Sequence, residues 1–185
     1  AISVASGANY TFSVADVEQA APAIVAADVL VLQLELPLEA VSKAAELASK
    51  ANVPVILDPA PAPKDLPYTL LECVTCIKPN ASEARGLTGI NVKDQKSAEK
   101  AAQSLLSMGP SHAVVTMGAQ GALIMSNQKA TFCPSLDVSA VDSTAAGDAF
   151  TGAIAYAWGL GMTPVQSIGL GCQAGAFAAT QSGAQ

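Results

Sequence analysis

The densest chemistry in this chain lies in Val141-Asp142-Ser143-Thr144-Ala145-Ala146-Gly147-Asp148-Ala149-Phe150. Small residues directly ahead of a strongly helical run leave the first backbone N–H groups of a helix uncovered. Those donors, with the helix dipole, make an anion site. Asp148 stands at its mouth. A carboxylate facing a bound phosphate is repulsive for simple binding, so the pairing makes sense if Asp148 takes a proton from a hydroxyl attacking the phosphorus. The residues alone equally admit an ordinary first-turn acid that stabilises the dipole. No G-x-x-x-x-G-K-[ST] occurs, which excludes a P-loop enzyme by sequence.

Other candidates carry less. Cys73-x-x-Cys76 has the spacing of half a zinc site, but Cys133, Cys172 and His112 are not paired at metal-like spacing. A buried structural pair is expected instead. Without a G-x-S-x-G elbow, His112 and Ser111 lack the strained turn of a serine hydrolase. Gly169-x-Gly171-x-x-Ala174 has the letters of a dinucleotide fingerprint, yet it lies inside an expected helix rather than between a strand and a helix. Its glycines are expected to allow close helix packing.

The elements that must position these residues alternate. Runs of Val, Ile and Leu separate Ala-rich stretches of helical period, which is the signature of strands joined by crossover helices. Strands are expected at Val29 to Gln33, Val55 to Leu57, Val74 to Lys78 and Ala113 to Thr116, with a hairpin around Asn127-Gln128. Helices are expected from Ser13 to about Ala26, from Pro37 to about Lys50 and over Ala81 to Leu87. Three more should run from Asp94 to about Met108, from Ala145 to about Trp158 and from Thr163 to about Thr180. The proline-rich Asp58 to Pro63 segment reads as a surface loop. The outcome is a layered α/β/α fold with a mostly parallel central sheet, and 185 residues suit a single domain.

Composition narrows the partners. Hydrophobic residues make up 51% and aromatics 4%, which excludes disorder. Lys plus Arg number 9 against 15 Asp plus Glu, so no cationic excess exists to neutralise a nucleic-acid backbone. No charge occurs from Ala149 to Gln185, but Gly159 to Pro164 breaks the stretch below the roughly 20 apolar residues a membrane span needs. Four cysteines are too sparse for a disulfide framework, and a cytoplasmic location is expected.

Asp142-Ser143-Thr144-Ala145-Ala146-Gly147-Asp148 resembles the DTxGAGD signature of the ribokinase-like (pfkB) carbohydrate kinases. Further matches follow in order over essentially the whole chain: Gln33-Leu34-Glu35, Asp58-Pro59-Ala60-Pro61-Ala62, Pro79-Asn80-Ala81-Ser82-Glu83, Leu87-Thr88-Gly89, Thr116-Met117-Gly118-Ala119-Gln120-Gly121 and Gly183-Ala184-Gln185. What the resemblance implies is phosphoryl transfer from ATP to the 5-hydroxyl of D-ribose. Fructokinase or another family sugar kinase is the alternative, or a nucleotide-binding fragment without catalysis.

By the same resemblance Asp148 is the general base and touches the sugar, Glu35 holds a sugar hydroxyl, and the N–H groups of Ala145, Ala146 and Gly147 form the anion hole. Asn80, Thr116, Gly118, Gly121 and Cys172 match nucleotide-binding positions, the last with a different identity. Glu83 matches the N-x-x-E acid that serves Mg²⁺ indirectly, and Asp142, Thr144, Ala179, Ser182 and Ala184 match a K⁺ loop. Read from residue type alone, Asn80 and Ser82 compete to cap a short helix and Glu35 is a strand-end acid. Family members begin with a G-G-K-G-x-N-like sugar clamp and a β lid, through which a homodimer would form. This chain, opening at Ala1, is expected to correspond to the C-terminal part of the family's full length, with those N-terminal strands and lid missing.

Overall fold

The computed structural model describes residues 7–63 and 65–184. After a 3-10 turn over Gly7–Thr11 come α1 (Val14–Val25), β1 (Leu30–Leu32), α2 (Leu38–Lys50), β2 (Val55–Leu57), α3 (Tyr68–Leu71) and β3 (Cys76–Ile77). Then follow α4 (Ala81–Thr88), α5 (Gln95–Leu106), β4 (His112–Thr116), β5 (Gly121–Ser126), β6 (Lys129–Pro134), α6 (Ala146–Gly159) and α7 (Pro164–Ala178). The strands form a six-stranded sheet in chain order. The first four are parallel and β5 and β6 pair antiparallel, so the expected mostly parallel sheet and its terminal hairpin are both present.

Local signals account for the helix starts. Ser13, Asp94 and Thr163 each cap a helix and are answered by Asp16, Ser97 and Gln166 in reciprocal capping boxes. Asn80 wins the contest with Ser82: its Oδ1 accepts from Ser82 N at 2.9 Å and Glu83 N at 3.0 Å, and Glu83 Oε2 accepts from Asn80 N at 2.8 Å. Helix α5 stops at Leu106, short of the expected Met108, because the chain turns at Ser107 towards Gly109 at φ +135°. The four-residue α3 was not foreseen, being too short to show a period.

Alternation along the strands builds the layers. Val55, Leu57, Ile77, Ala113 and Val115 pack with α2 and α5 on one face, and Ile56, Cys76, Val114 and Ile124 pack with α6 and α7 on the other. Both faces are covered, which is why the strands read as continuous apolar runs. Alanines at one helical face let the helices lie close: Ala40, Ala44, Ala45 and Ala48 of α2, and Ala98, Ala101 and Ala102 of α5, are all buried. The uncharged tail after Ala149 divides into α6 and α7, and no helix among the described residues is long and apolar enough to cross a membrane.

Close packing of α6 on α7 rests on Gly171, where a Cβ would come within 2.9 Å of Phe150 and Ile154. Gly169 does not share this role. It faces open space, since two residues turn the helix by about 200° and point it away from the contact. Cys76 is fully buried, which pushes its thiol up to about 12, whereas Cys73 is only half-buried.

His112 packs edge-on against Trp158, ring centroids 5.9 Å apart, and its buried Nδ1 has no hydrogen-bond partner. Burial holds its pKa below the usual 6.5. The unfolded chain therefore takes up the proton first, and stability should fall as pH drops below about 6.5. His112→Phe keeps the aromatic contact and removes the titration, so the difference in urea midpoint between pH 7.5 and pH 5.5 should shrink in the variant. An unchanged difference would place the pH response elsewhere.

Candidate active site

Parallel register generates the site. Leu32 pairs with Leu57 and Leu57 with Ile77, so the next residues, Gln33, Asp58 and Lys78, stand in a row at the carboxyl ends of three adjacent strands. In open α/β sheets this is the edge where ligands bind. Helix α6 sets its first turn on that row. Gln33 Nε2 donates to Asp148 Oδ1 at 2.9 Å, Thr151 Oγ1 lies 3.1 Å from Asp58 Oδ2, and Lys78 Nζ lies 3.9 Å from where a Gly147 Cβ would be. Beneath them Lys78 and Asp58 form an ion pair at 2.8 Å with both side chains almost wholly buried.

The residues expected to form an anion hole meet at this turn. Ala145 is the N-cap residue rather than the first helical one, and it adopts φ +60°, ψ 4°. Ala146 N donates to Ser143 O at 3.2 Å, while the N–H groups of Ala145 and Gly147 have no acceptor among the described residues. Those donors, with the exposed Asp148 beside them, leave a place for an anion.

A cleft of about 570 Å³ opens in front of α6. It brings together Thr116, Gly118, Gly121, Ala146, Gly147, Cys172 and Ala179, residues drawn from β4, the β5 start, α6 and α7. Asn80 lines a smaller adjoining pocket that shares Thr116 and Gly118. A parallel bridge between Asn80 and Thr116 holds the two walls in register. Gly121 is required here: φ is +114°, and a Cβ would fall 2.1 Å from the Cys133 carbonyl oxygen. Cys172 is buried, with its thiol 3.7 Å from that same carbonyl, and burial first and Cys133 second push it up to about 12. Glu35, exposed in the bend after β1, is not a lining residue of this cleft.

The cation candidates divide. Glu83 is half-buried, and burial first, then the Asp58 charge, raises its pKa. Its carboxylate is engaged with Asn80, and no group of three His, Cys, Asp or Glu converges among the described residues. This fits a divalent ion carried by phosphates and reached from Glu83 through water, not a protein cage. Asp142 meets the segment after α7 as expected: Val141 N and Asp142 N donate to Ala179 O, and Gly183 N donates to Asp142 Oδ2 at 3.1 Å. The Thr144 hydroxyl, then the Thr144 and Gly183 N–H groups, hold Asp142 below the usual carboxylate range. Both Asp142 oxygens thus accept from N–H or O–H donors, and the Ala179 carbonyl accepts from two N–H groups. Ser182 and Ala184 are exposed in the same segment, and Gln185 lies outside the described residues.

Sequence reasoning assigned no role to Gln33, Lys78 or Thr151, although Gln33 stood in a recognised stretch. Nor did it foresee Leu136 and Val138, which overhang the cleft with their side chains exposed. Each lacks a short-range pattern, and only strand register or loop return places it. Ala145 offers a direct check on this geometry, because a left-handed non-glycine residue costs about 1–2 kcal/mol. Ala145→Gly should hold or raise Tm, and β-branched Ala145→Val should lower stability by roughly 1–3 kcal/mol. Scanning calorimetry showing the Val variant as stable as the Gly variant would refute the left-handed cap.

Comparison with known proteins places the chain in a family. A model of the pfkB family carbohydrate kinases matches residues 2–185. Ribokinase of Haemophilus influenzae is 39% identical over 184 residues, covering 100% of this chain and 60% of the relative. Deoxyribokinase of Salmonella typhi is 37% identical over 155 residues, covering 84% of this chain and 51% of the relative. The chain thus spans just over half the length of these curated relatives. The structure of Arabidopsis thaliana ribokinase complexed with ribose and ATP superposes with a TM-score of 0.88 at 26% identity, covering 100% of this chain and 60% of its own length. With a family match across nearly every residue and the same α/β architecture behind it, this chain belongs to the pfkB family of carbohydrate kinases.

Proposed function

We propose that this chain supplies the ATP-binding and phosphoryl-transfer half of a ribokinase, which moves the γ-phosphoryl of ATP to the 5-hydroxyl of D-ribose. The observation that carries this reading is Asp148 in the first turn of α6, directly after Gly147, whose N–H is unpartnered among the described residues and which lines the cleft together with Thr116, Gly118 and Gly121. Ribokinase and deoxyribokinase among the relatives, and a ribokinase structure holding ribose and ATP, support a pentose acceptor. Residues 1–185 are taken as a single α/β domain, and a cytoplasmic homodimer through the family's lid region as the assembly of the complete protein.

The protein's part in the reaction is positioning and charge stabilisation, because a loose phosphoryl transition state offers little covalent chemistry. Adenosine lies along Gly118, Gly121 and Cys172, and the N–H groups of Ala145, Ala146 and Gly147 collect the charge of the transferring group. Gln33 orients the Asp148 carboxylate through Oδ1, which leaves Oδ2 for the attacking hydroxyl. Glu35, in the bend after β1, takes a sugar hydroxyl when the sugar sits near the β1 end. Mg²⁺ on the phosphates, with Glu83 and Asn80 behind it, supplies neutralising charge when bound.

Two measurements test this reading. The chain by itself should bind MgATP in a calorimetric titration, competitively with ADP. In the complete enzyme, Asp148→Asn should keep that binding and lower kcat by roughly 10²–10⁴, the range for a lost general base. Turnover near normal would remove Asp148 from the base role.

The K⁺ loop has its own test. Replacing Na⁺ by K⁺ at constant ionic strength should raise the Tm of the chain by a few degrees, as for any ion bound only by the folded state. Asp142→Ala should abolish the rise while leaving ATP affinity within a few fold. A K⁺ response that survives the substitution would move the cation away from Asp142.

A further inference from the structure

The buried charge under α6 is not used by the reaction outlined above. Asp58, Lys78 and Thr151 are 5%, 2% and 4% exposed. Lys78 Nζ and Asp58 Oδ2 are 2.8 Å apart, and the same Oδ2 lies 3.1 Å from Thr151 Oγ1. Thr151 Oγ1 is also 2.8 Å from the Gly147 carbonyl oxygen. A threonine hydroxyl has one proton to donate, and an ionised carboxylate has none. That one proton is therefore shared between Asp58 and Gly147, which joins the strand end to the carbonyl of an anion-hole residue. Lys78 completes the arrangement from below. Its ammonium stands 5.9 Å from the Phe150 ring centroid and under Gly147, 3.9 Å from where a Cβ there would sit.

We propose that Thr151 is a positioning residue for the anion hole, held by the buried Asp58–Lys78 pair and setting the angle at which the free Gly147 N–H meets the transferring phosphoryl. The ammonium and carboxylate cancel, so the pair adds no net charge against an arriving anion. Its contribution is directional: the pair orients the Asp58 oxygen, and that oxygen orients Thr151. This inference rests on the phosphoryl-transfer reading for its consequence but not for its geometry. Asp148 hangs on Gln33, outside this buried group, so losing the Thr151 hydroxyl should leave the base where it is.

The chain itself allows a test with two independent readouts. Amide hydrogen exchange reports whether the first turn of α6 is pinned. Thr151→Val keeps the branched shape and deletes the hydroxyl, and exchange at Ala149, Phe150 and Thr151 or its replacement should speed up by about tenfold while β4 and β5 are unchanged. Thr151→Ser should restore the slow rate. Calorimetry with ADP and with a non-hydrolysable ATP analogue reports on the γ-phosphoryl position alone. Thr151→Val should weaken the analogue by about five- to tenfold and ADP by less than twofold, with Ser again rescuing.

Asp58→Asn with Lys78→Met removes both charges and keeps an acceptor for Thr151. The double variant should retain slow exchange, whereas Lys78→Met alone, which strands a buried carboxylate, should lose it. Exchange unaltered in Thr151→Val, or equal losses for ADP and the analogue, would overturn the proposal. A chain that binds neither nucleotide would defeat the kinase reading, and the exchange measurements would still decide the pinning.

Discussion

A buried ammonium and a buried carboxylate at the ends of adjacent parallel strands hold the working part of this molecule together. Taking Lys78 and Asp58 out of water is expensive, and their mutual attraction does little more than offset that cost. Breaking the pair from one side is another matter, with a penalty of roughly 3–5 kcal/mol, a large share of the 5–15 kcal/mol by which a domain is stable. The pair thus adds little net stability but tolerates few alternative arrangements. Parallel register puts the two residues side by side, and through Thr151 they fix the start of α6.

A second constraint acts from the opposite side and works through absent side chains. Gly171 and Gly175 let α7 close on the first turns of α6, the latter bringing its missing Cβ within 3.0 Å of the Ala146 carbonyl oxygen. Gly121 lets β5 begin against the backbone of Cys133 and Ser135. Where these glycines line the cleft, its wall is backbone rather than side chain. Helix α6 is clamped between the strand ends and α7, and the left-handed Ala145 is where the entering loop absorbs the mismatch.

Ligand chemistry follows from the way these constraints divide the site. Charge that would repel a nucleotide is neutralised or kept aside: Asp58 is paired with Lys78, Glu83 is turned into the Asn80 capping box, and Asp142 is held by Thr144 and Gly183. Asp148 stays exposed in the first turn of α6, with a neutral amide on one oxygen. Asp137 is the acid that lines the cleft itself, and it too is exposed.

By itself the sequence determined the element order, the parallel sheet with its hairpin, most helix caps and the placement of Asp148 in the first turn of α6. These rest on short-range physics: periodicity, caps and glycine placement are written within a few residues of where they act. The ordered motif matches carried the family for the same reason. Tertiary structure alone decided that Gln33, Asp58 and Lys78 share one edge, that Thr151 couples that edge to Gly147, and that Gly171 packs where Gly169 does not. Gln33 and Asp148 are separated by 115 positions and Asp58 and Thr151 by 93. Contacts over such distances are set by strand register and helix docking, which depend on the whole core burying its surface at once and leave no local pattern to read.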